Sequence, residues 1–236
     1  MNNYRNLCFD YGGTLDTGGI HWADFLWHVY QQHHVPVTHD AYYDAYVHAE
    51  RYLGQHDVIH FEHTFRETLR IKLQLQFEHL GVNEDVEPLL CDSYSLVEQT
   101  MEQTRPVLQS LSQRHTLILV SNFYGNLYSV LREFQLDTCF HDVVESAVVG
   151  IRKPDAAVYE LALRRNHLPP EDTLVIGDSL KNDILPAHSL GISTAWLAPH
   201  ADTIPAEVTY HIIYLDQLLD LLKTTRTTED NFFLGI

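Results

Sequence analysis

Basic residues are scarce in this chain: 15 lysines and arginines face 32 aspartates and glutamates, a formal charge of -17 over 236 residues. Such a surplus repels polyphosphate backbones and anionic lipid surfaces, so nucleic acid and membrane are excluded as general partners. A small anionic substrate would need locally focused cations or a metal. Cysteine is also rare. Cys8, Cys91 and Cys139 are odd in number, lack zinc-type spacing and read as buried free thiols. With no basic-then-apolar amino terminus, they set the expectation of a soluble, cytoplasmic protein. No apolar run approaches the ~20 residues of a spanning helix, and there is no internal repeat.

What the chain does have is enough apolar material, 45% of residues, to build a packed interior. Leu7, Cys8 and Phe9 end an apolar run suited to a buried parallel strand, which places Asp10 at the strand's carboxyl end. From about Ile20 to Arg105 the pattern is helix upon helix. Trp22, Phe25, Leu26 and Val29 recur at helical spacing, and Val58, Phe61, Phe65, Leu69 and Leu73 form a second stripe. Pro106 marks the expected return to a different architecture. Strands are then expected at 116–120, 142–145, 173–176, 192–197 and 208–213, alternating with helices at 127–134, 156–165, 180–190 and 216–222. That alternation predicts an α/β fold, a doubly wound parallel sheet interrupted after its first strand by an α-helical insertion. The last residues, Thr224–Ile236, turn from polar to apolar, are expected either to fray or to dock on a neighbour, and carry no chemistry-bearing pattern.

Ligands of such folds collect beyond the carboxyl ends of the strands. Asp10, Ser121 with Asn122, Lys153 and Asp178 all fall there, and together they describe a phosphate site. A carboxylate can attack phosphorus to form an aspartyl-phosphate. Because both partners are negative, cations must offset their repulsion. Mg2+ prefers oxygen ligands and suits Asp10, Asp178 and a backbone carbonyl, with Asp183 either a direct ligand or a group that supports the ligands. Lys153 neutralises remaining charge, and Ser121 with nearby backbone amides can hold phosphoryl oxygens. Gly12 and Gly13 let the backbone turn close to a ligand.

The motifs Asp10-Tyr11-Gly12-Gly13-Thr14-Leu15-Asp16, Ser121-Asn122, Lys153-Pro154 and Gly177-Asp178-Ser179-Leu180-Lys181-Asn182-Asp183 stand in an order that resembles the haloacid dehalogenase superfamily of hydrolases. The resemblance implies a core of residues 1–19 and 106–236, Rossmann-like, with a helical cap over 20–105. It implies Asp10 as nucleophile and Lys153 as its catalytic partner. Ser121, Asn122 and Gly13 would bind phosphate, while Asp10, the Gly12 carbonyl, Asp178 and Asp183 would hold Mg2+. The expected substrate is a small phosphorylated metabolite.

One residue departs from the pattern. Phosphatases of the family place a second aspartate two residues after the nucleophile, as proton donor and then base. Glycine can do neither, and such assistance is worth roughly 100- to 10,000-fold. Asp16 reads as structural. His21, whose imidazole can carry a proton, is a substitute that could reach the site from the insertion. Tyr11 reads as packing, and the acyl and aryl phosphates, with good leaving groups, are the substrates least affected. His56, His60 and His63 would share one helix face, and read as a solvated surface rather than a zinc site. Arg51, Arg66 and Arg70 likewise read singly as surface charge. A phosphonate carbon–phosphorus hydrolase would use an insertion lysine, but Lys72, the only one, lies late in the segment. A metal-free dehalogenase ranks lower, because the acidic Asp178–Asp183 motif looks built for a cation. A phosphate-binding protein without turnover is the non-enzymatic alternative.

Overall fold

The first strand forms where the sequence offers an apolar run: β1 (Asn6–Phe9) is buried at every position. The structure, a computed structural model, describes residues 4–223, so the stretch Thr224–Ile236 lies outside the described residues. After β1 the chain leaves for four helices, α1 (Trp22–Gln32), α2 (His39–Gln55), α3 (Phe65–Leu80) and α4 (Glu87–Ser112). It returns as β2 (Thr116–Ser121), α5 (Leu127–Glu133), β3 (Asp142–Glu145), the one-turn α6 (Ser146–Val149) and α7 (Ala157–Asn166). Then follow β4 (Thr173–Gly177), α8 (Leu185–Ser189), β5 (Ser193–Leu197), β6 (Tyr210–Ile212) and α9 (Gln217–Leu221).

All the strand pairs are parallel, in the order β3-β2-β1-β4-β5-β6. The expected doubly wound α/β class is what forms. Its register carries the alternation hidden in the apolar runs. Leu7, Phe9, Leu119 and Ile176 join a core continuous with the inserted helices, while Cys8, Ile118, Val120 and Val175 pack on the opposite face against Val158, Tyr159 and Ala162 of α7. The order reverses direction beside β1, so the ends of β1 and β4 border the crevice of the topological switch.

Several local expectations change. Pro106 does not end the helical segment; it lies inside α4, which continues to Ser112. The penalty of an interior proline is outweighed by packing of Met101, Val107, Leu108 and Leu111, all buried. One helix therefore touches both α1 and α3 of the insertion and β2 and α9 of the sheet domain. The second apolar stripe begins only at Phe65: Val58 and Phe61 precede α3, and Phe61 is exposed. A capping box between Thr64 and Glu67 fixes where that helix starts. Helix 180–190 opens instead as a wide π turn over Leu180–Ile184, which tucks Asp183 inward. Cys8 and Cys139 are buried, whereas Cys91 is exposed on α4 beside Arg66. Among the described residues no helix is long and apolar enough to cross a membrane.

Because α4 ties the two regions together through its buried face, Leu108→Ala is expected to cost about 2–5 kcal/mol, read by denaturant titration.

Candidate active site

The carboxyl ends of β1, β2 and β4 bring the expected residues together. Pairing extends one residue past β1, since the Asp10 N–H donates to the Ile176 carbonyl at 2.9 Å. The Asp10 side chain is thus aimed off the sheet edge. Its Oδ1 accepts from the Tyr11 N–H at 2.7 Å and from the Ser121 hydroxyl at 3.0 Å. Lys153 Nζ lies 2.7 Å from Asp10 Oδ1 and 2.6 Å from Asp183 Oδ1. Asp183 also accepts from the Tyr159 hydroxyl at 3.0 Å and the Ser179 N–H at 3.1 Å. Asp178 is held by Thr14, whose hydroxyl donates to Asp178 Oδ1 at 2.9 Å while accepting from the Asp178 N–H at 3.0 Å.

The charges do not balance. One oxygen from each of Asp10, Asp178 and Asp183 lies within 4.8 Å of the others, and among the described residues Lys153 is the only cation bonded to them. Burial drives the Asp10 carboxyl up to about 6, against the pull of Lys153 and with the push of Asp183. Asp178 is raised well above the usual carboxylate range, by burial and then by Asp183 and Asp10. Burial would lower Lys153, but its two carboxylate partners hold it firmly protonated. Three carboxylates, Asp10 and Asp183 buried and Asp178 half-buried, against one ammonium leave uncompensated negative charge, and hard oxygen donors fit a magnesium ion.

Two expected phosphate ligands are otherwise engaged. The Asn122 amide clasps the Lys153 main chain, accepting from its N–H and donating to its carbonyl, both at 2.9 Å. Asn122 thereby positions Lys153. The Gly13 N–H donates to Asp16 Oδ1 at 2.7 Å. Gly13 is nonetheless obligatory for another reason: its φ is +91°, and a Cβ there would lie 2.5 Å from Asp178 Oδ2. Gly177 matters similarly, since a Cβ would meet Asp183 at 2.5 Å. Thr14, Tyr159 and Gly177 were not singled out from sequence; Gly177 and Thr14 adjoin motif carboxylates, but nothing in the pattern signals Tyr159.

A cavity of about 130 Å³ lies between this edge and the inserted helices, lined by Gly12, Asp16, His21, Trp22, Glu50 and Lys72 among others. Lys72, distant in sequence, is therefore near in space. Its ammonium pairs with Glu50 at 2.6 Å and lies over the rings of Trp22 and Tyr124 at 5.3 and 5.5 Å. Burial opposes both charges, yet the pair prevails: Glu50 is lowered and Lys72 raised. Tyr11 is fully buried against Phe123, in keeping with packing. Arg66 and Arg70 are taken up by Glu87. The three histidines do not share a helix face, because His56 caps α2 and His60 and His63 fall in the following loop.

Against known proteins, the haloacid dehalogenase-like hydrolase family matches residues 4–191. The chain belongs to that family of hydrolases. The HAD-hydrolase YfnB of Bacillus subtilis is 26% identical, covering 96% of this chain and 99% of its own. A glyceraldehyde 3-phosphate phosphatase of Pyrococcus furiosus is 22% identical over 81% and 80%, and the pyrimidine 5'-nucleotidase PynA of Streptococcus pneumoniae is 29% identical over 77% and 80%. Among solved structures, magnesium-bound YfnB superposes with a TM-score of 0.60 at 24% identity, over 94% of this chain and 99% of that one. A dehalogenase reaches 0.67 at 17%, over 95% and 99%. These likenesses carry the fold.

Two predictions follow from the packing. Gly177→Ala is expected to lower the melting temperature by several degrees, because Asp183 must move. Lys72→Met, which leaves the half-buried Glu50 without its cation, is expected to destabilise by about 1–3 kcal/mol, and adding Glu50→Gln should recover most of it; denaturant titration reads both.

Proposed function

We propose that the chain is a Mg2+-dependent phosphohydrolase that cleaves a small phosphorylated metabolite through an aspartyl-phosphate on Asp10. The observation that carries this reading is the cluster of Asp10, Asp178, Asp183 and Lys153 beside a cavity. The inserted residues 20–105 act as the cap that closes this cavity over the core of 1–19 and 106–236.

Asp10, Asp178, Asp183 and the Gly12 carbonyl would hold the magnesium. When bound, the ion offsets the charge of the phosphoryl group and stabilises its oxygens in the transition state. The remaining work falls to the chain. Asp10 is aimed by the Tyr11 N–H and Ser121, and Lys153 keeps its carboxylate ionised next to an incoming anion. The Ser121 hydroxyl is placed to turn from Asp10 to a phosphoryl oxygen, and Asn122 holds Lys153 in register for the same group. Water is excluded by the Trp22, Phe65 and Leu69 side of the cavity.

Size supports a small substrate: about 130 Å³ is below the ~300–1,000 Å³ of drug-sized sites. Of the two named activities among the relatives, that on glyceraldehyde 3-phosphate fits this volume better than that on a nucleotide. Lys72 argues against the phosphonate reading, because Glu50 keeps it a protonated ammonium rather than an imine-forming amine. Gly12 favours one rival, a phosphate-binding protein without turnover.

Turnover of acyl, aryl and alkyl phosphates with and without Mg2+ decides between them. Hydrolysis that EDTA abolishes, that Mg2+ restores, and that Asp10→Asn lowers by about 1,000-fold or more is the expected result. Phosphate binding without turnover of any ester would establish the rival.

A further inference from the structure

The structure explains how this loop can work without a carboxylate at position 12. Gly12 is not a steric necessity. Its φ is not positive, and a Cβ there would meet nothing nearer than the Trp22 indole, with Nε1 and Cδ1 both at 3.7 Å. The side-chain space beyond residue 12 is open toward the cavity. The indole N–H bordering that space does not point at solvent; it donates to Asp16 Oδ2 at 2.9 Å. Asp16 Oδ1 accepts from the Gly13 N–H at 2.7 Å, so both oxygens are fixed. Asp16 is 1% exposed, yet lines the same cavity as Gly12. A buried carboxyl with two donors and, among the described residues, no bonded cation, next to the gap left by a missing carboxylate, is more than a loop tie.

We propose that Asp16 is the general acid and base of this hydrolase, delivering through the space vacated at Gly12 the proton transfers that position 12 cannot. This rests on the phosphohydrolase reading above. In the first half-reaction an Asp10 oxygen bonds to phosphorus as the ester P–O bond breaks. The Asp16 proton passes to the departing oxygen, which leaves as an alcohol. In the second, the Asp16 carboxylate takes a proton from water whose oxygen bonds to phosphorus. The Asp10–phosphorus bond breaks, inorganic phosphate leaves, and Asp16 is again protonated.

The electrostatics suit both duties. Burial pushes Asp16 up to about 7, with Asp10 adding to the rise and the Gly13 and Trp22 N–H groups and Lys72 opposing it. Tyr11 and Tyr124 also face it electrostatically, and His21 and Glu50 share its cavity. A group divided between its two forms near neutral pH can donate in one step and accept in the next. His21 is less well placed: its Nδ1 accepts from the Ala23 N–H as the cap of α1.

The test compares kcat/KM for an alkyl and an aryl phosphate, with Mg2+, in the full chain. Asp16→Asn is expected to lose about 100- to 10,000-fold on the alkyl ester and less than about tenfold on the aryl ester, whose leaving group needs no proton. Gly12→Asp added to Asp16→Asn should restore alkyl turnover. Trp22→Phe removes a donor to the carboxylate, so the basic limb of the pH profile should move to higher pH; this variant decides the matter if Asp16→Asn does not fold. Equal loss on both esters without rescue, or an unmoved limb in Trp22→Phe, overturns the assignment. So does alkyl turnover that survives Asp16→Asn but is lost in His21→Gln. A wild-type protein inert toward every phosphate would instead overturn the phosphohydrolase reading itself, and this assignment with it.

Discussion

The ammonium of Lys153, held between Asp10 and Asp183, is the contact on which the site depends. Two carboxylates brought this close in a buried place would repel and protonate; one shared cation lets them coexist. Everything nearby keeps that cation in position. Asn122 grips its main chain, Tyr159 and the Ser179 N–H fix its second partner, and glycine at 177 leaves that partner room. With the ammonium already shared, Asp178 has only a hydroxyl for company. The site is therefore built with charge left over, which is the condition for retaining a divalent ion.

The same economy appears in the chain as a whole. With a formal charge of -17, the protein repels anions at long range, so an anionic substrate would have to be recognised at short range, where local groups outweigh the distant field. The inserted helices do not add net positive charge to the cavity. Lys72 is cancelled by Glu50, and Arg66 and Arg70 are spent on Glu87. Lys153, by contrast, sits within the carboxylate cluster itself. What the helices contribute to the cavity is an aromatic wall and the Lys72–Glu50 pair.

How far the sequence reveals this depends on the kind of information involved. Strand ends were legible because apolar runs such as Leu7–Phe9 stop abruptly at polar residues, and a parallel sheet puts all such stops on one edge. Asp10, Ser121 and Asp178 could be grouped on that basis; Lys153 could not, because α6 and a turn separate it from the end of β3, and only its Lys-Pro motif marked it. Contacts between elements were not legible. Lys72 follows Trp22 by some fifty positions, and only the tertiary fold, which sets the middle of α3 against the start of α1, brings its ammonium over the indole ring. Pro106 misled because a helix-breaking residue was weighed without the buried neighbours that outweigh it. The histidine pattern failed for the reverse reason: helical spacing has meaning only inside a helix, and Ile59–His63 is loop.

The paired glycines show the difference most sharply. Read as letters, Gly12 and Gly13 look like one flexible turn. Physically they are opposites. Gly13 occupies a left-handed conformation and faces Asp178 at a distance no side chain could share, so its identity is imposed by the fold. Gly12 has ordinary backbone geometry and open space before it, so nothing in the fold demands glycine there. A residue that structure does not require, at a point where chemistry would favour a carboxylate, is best understood through its neighbours. The indole of Trp22 reaches into this region from α1 and bonds Asp16, drawing a carboxylate from four residues further along to the rim of the same cavity. An aspartate at 12 and a buried Asp16 side by side would repel each other under one indole donor. Glycine at 12 removes that conflict and leaves Asp16 as the loop's carboxyl on the cavity wall.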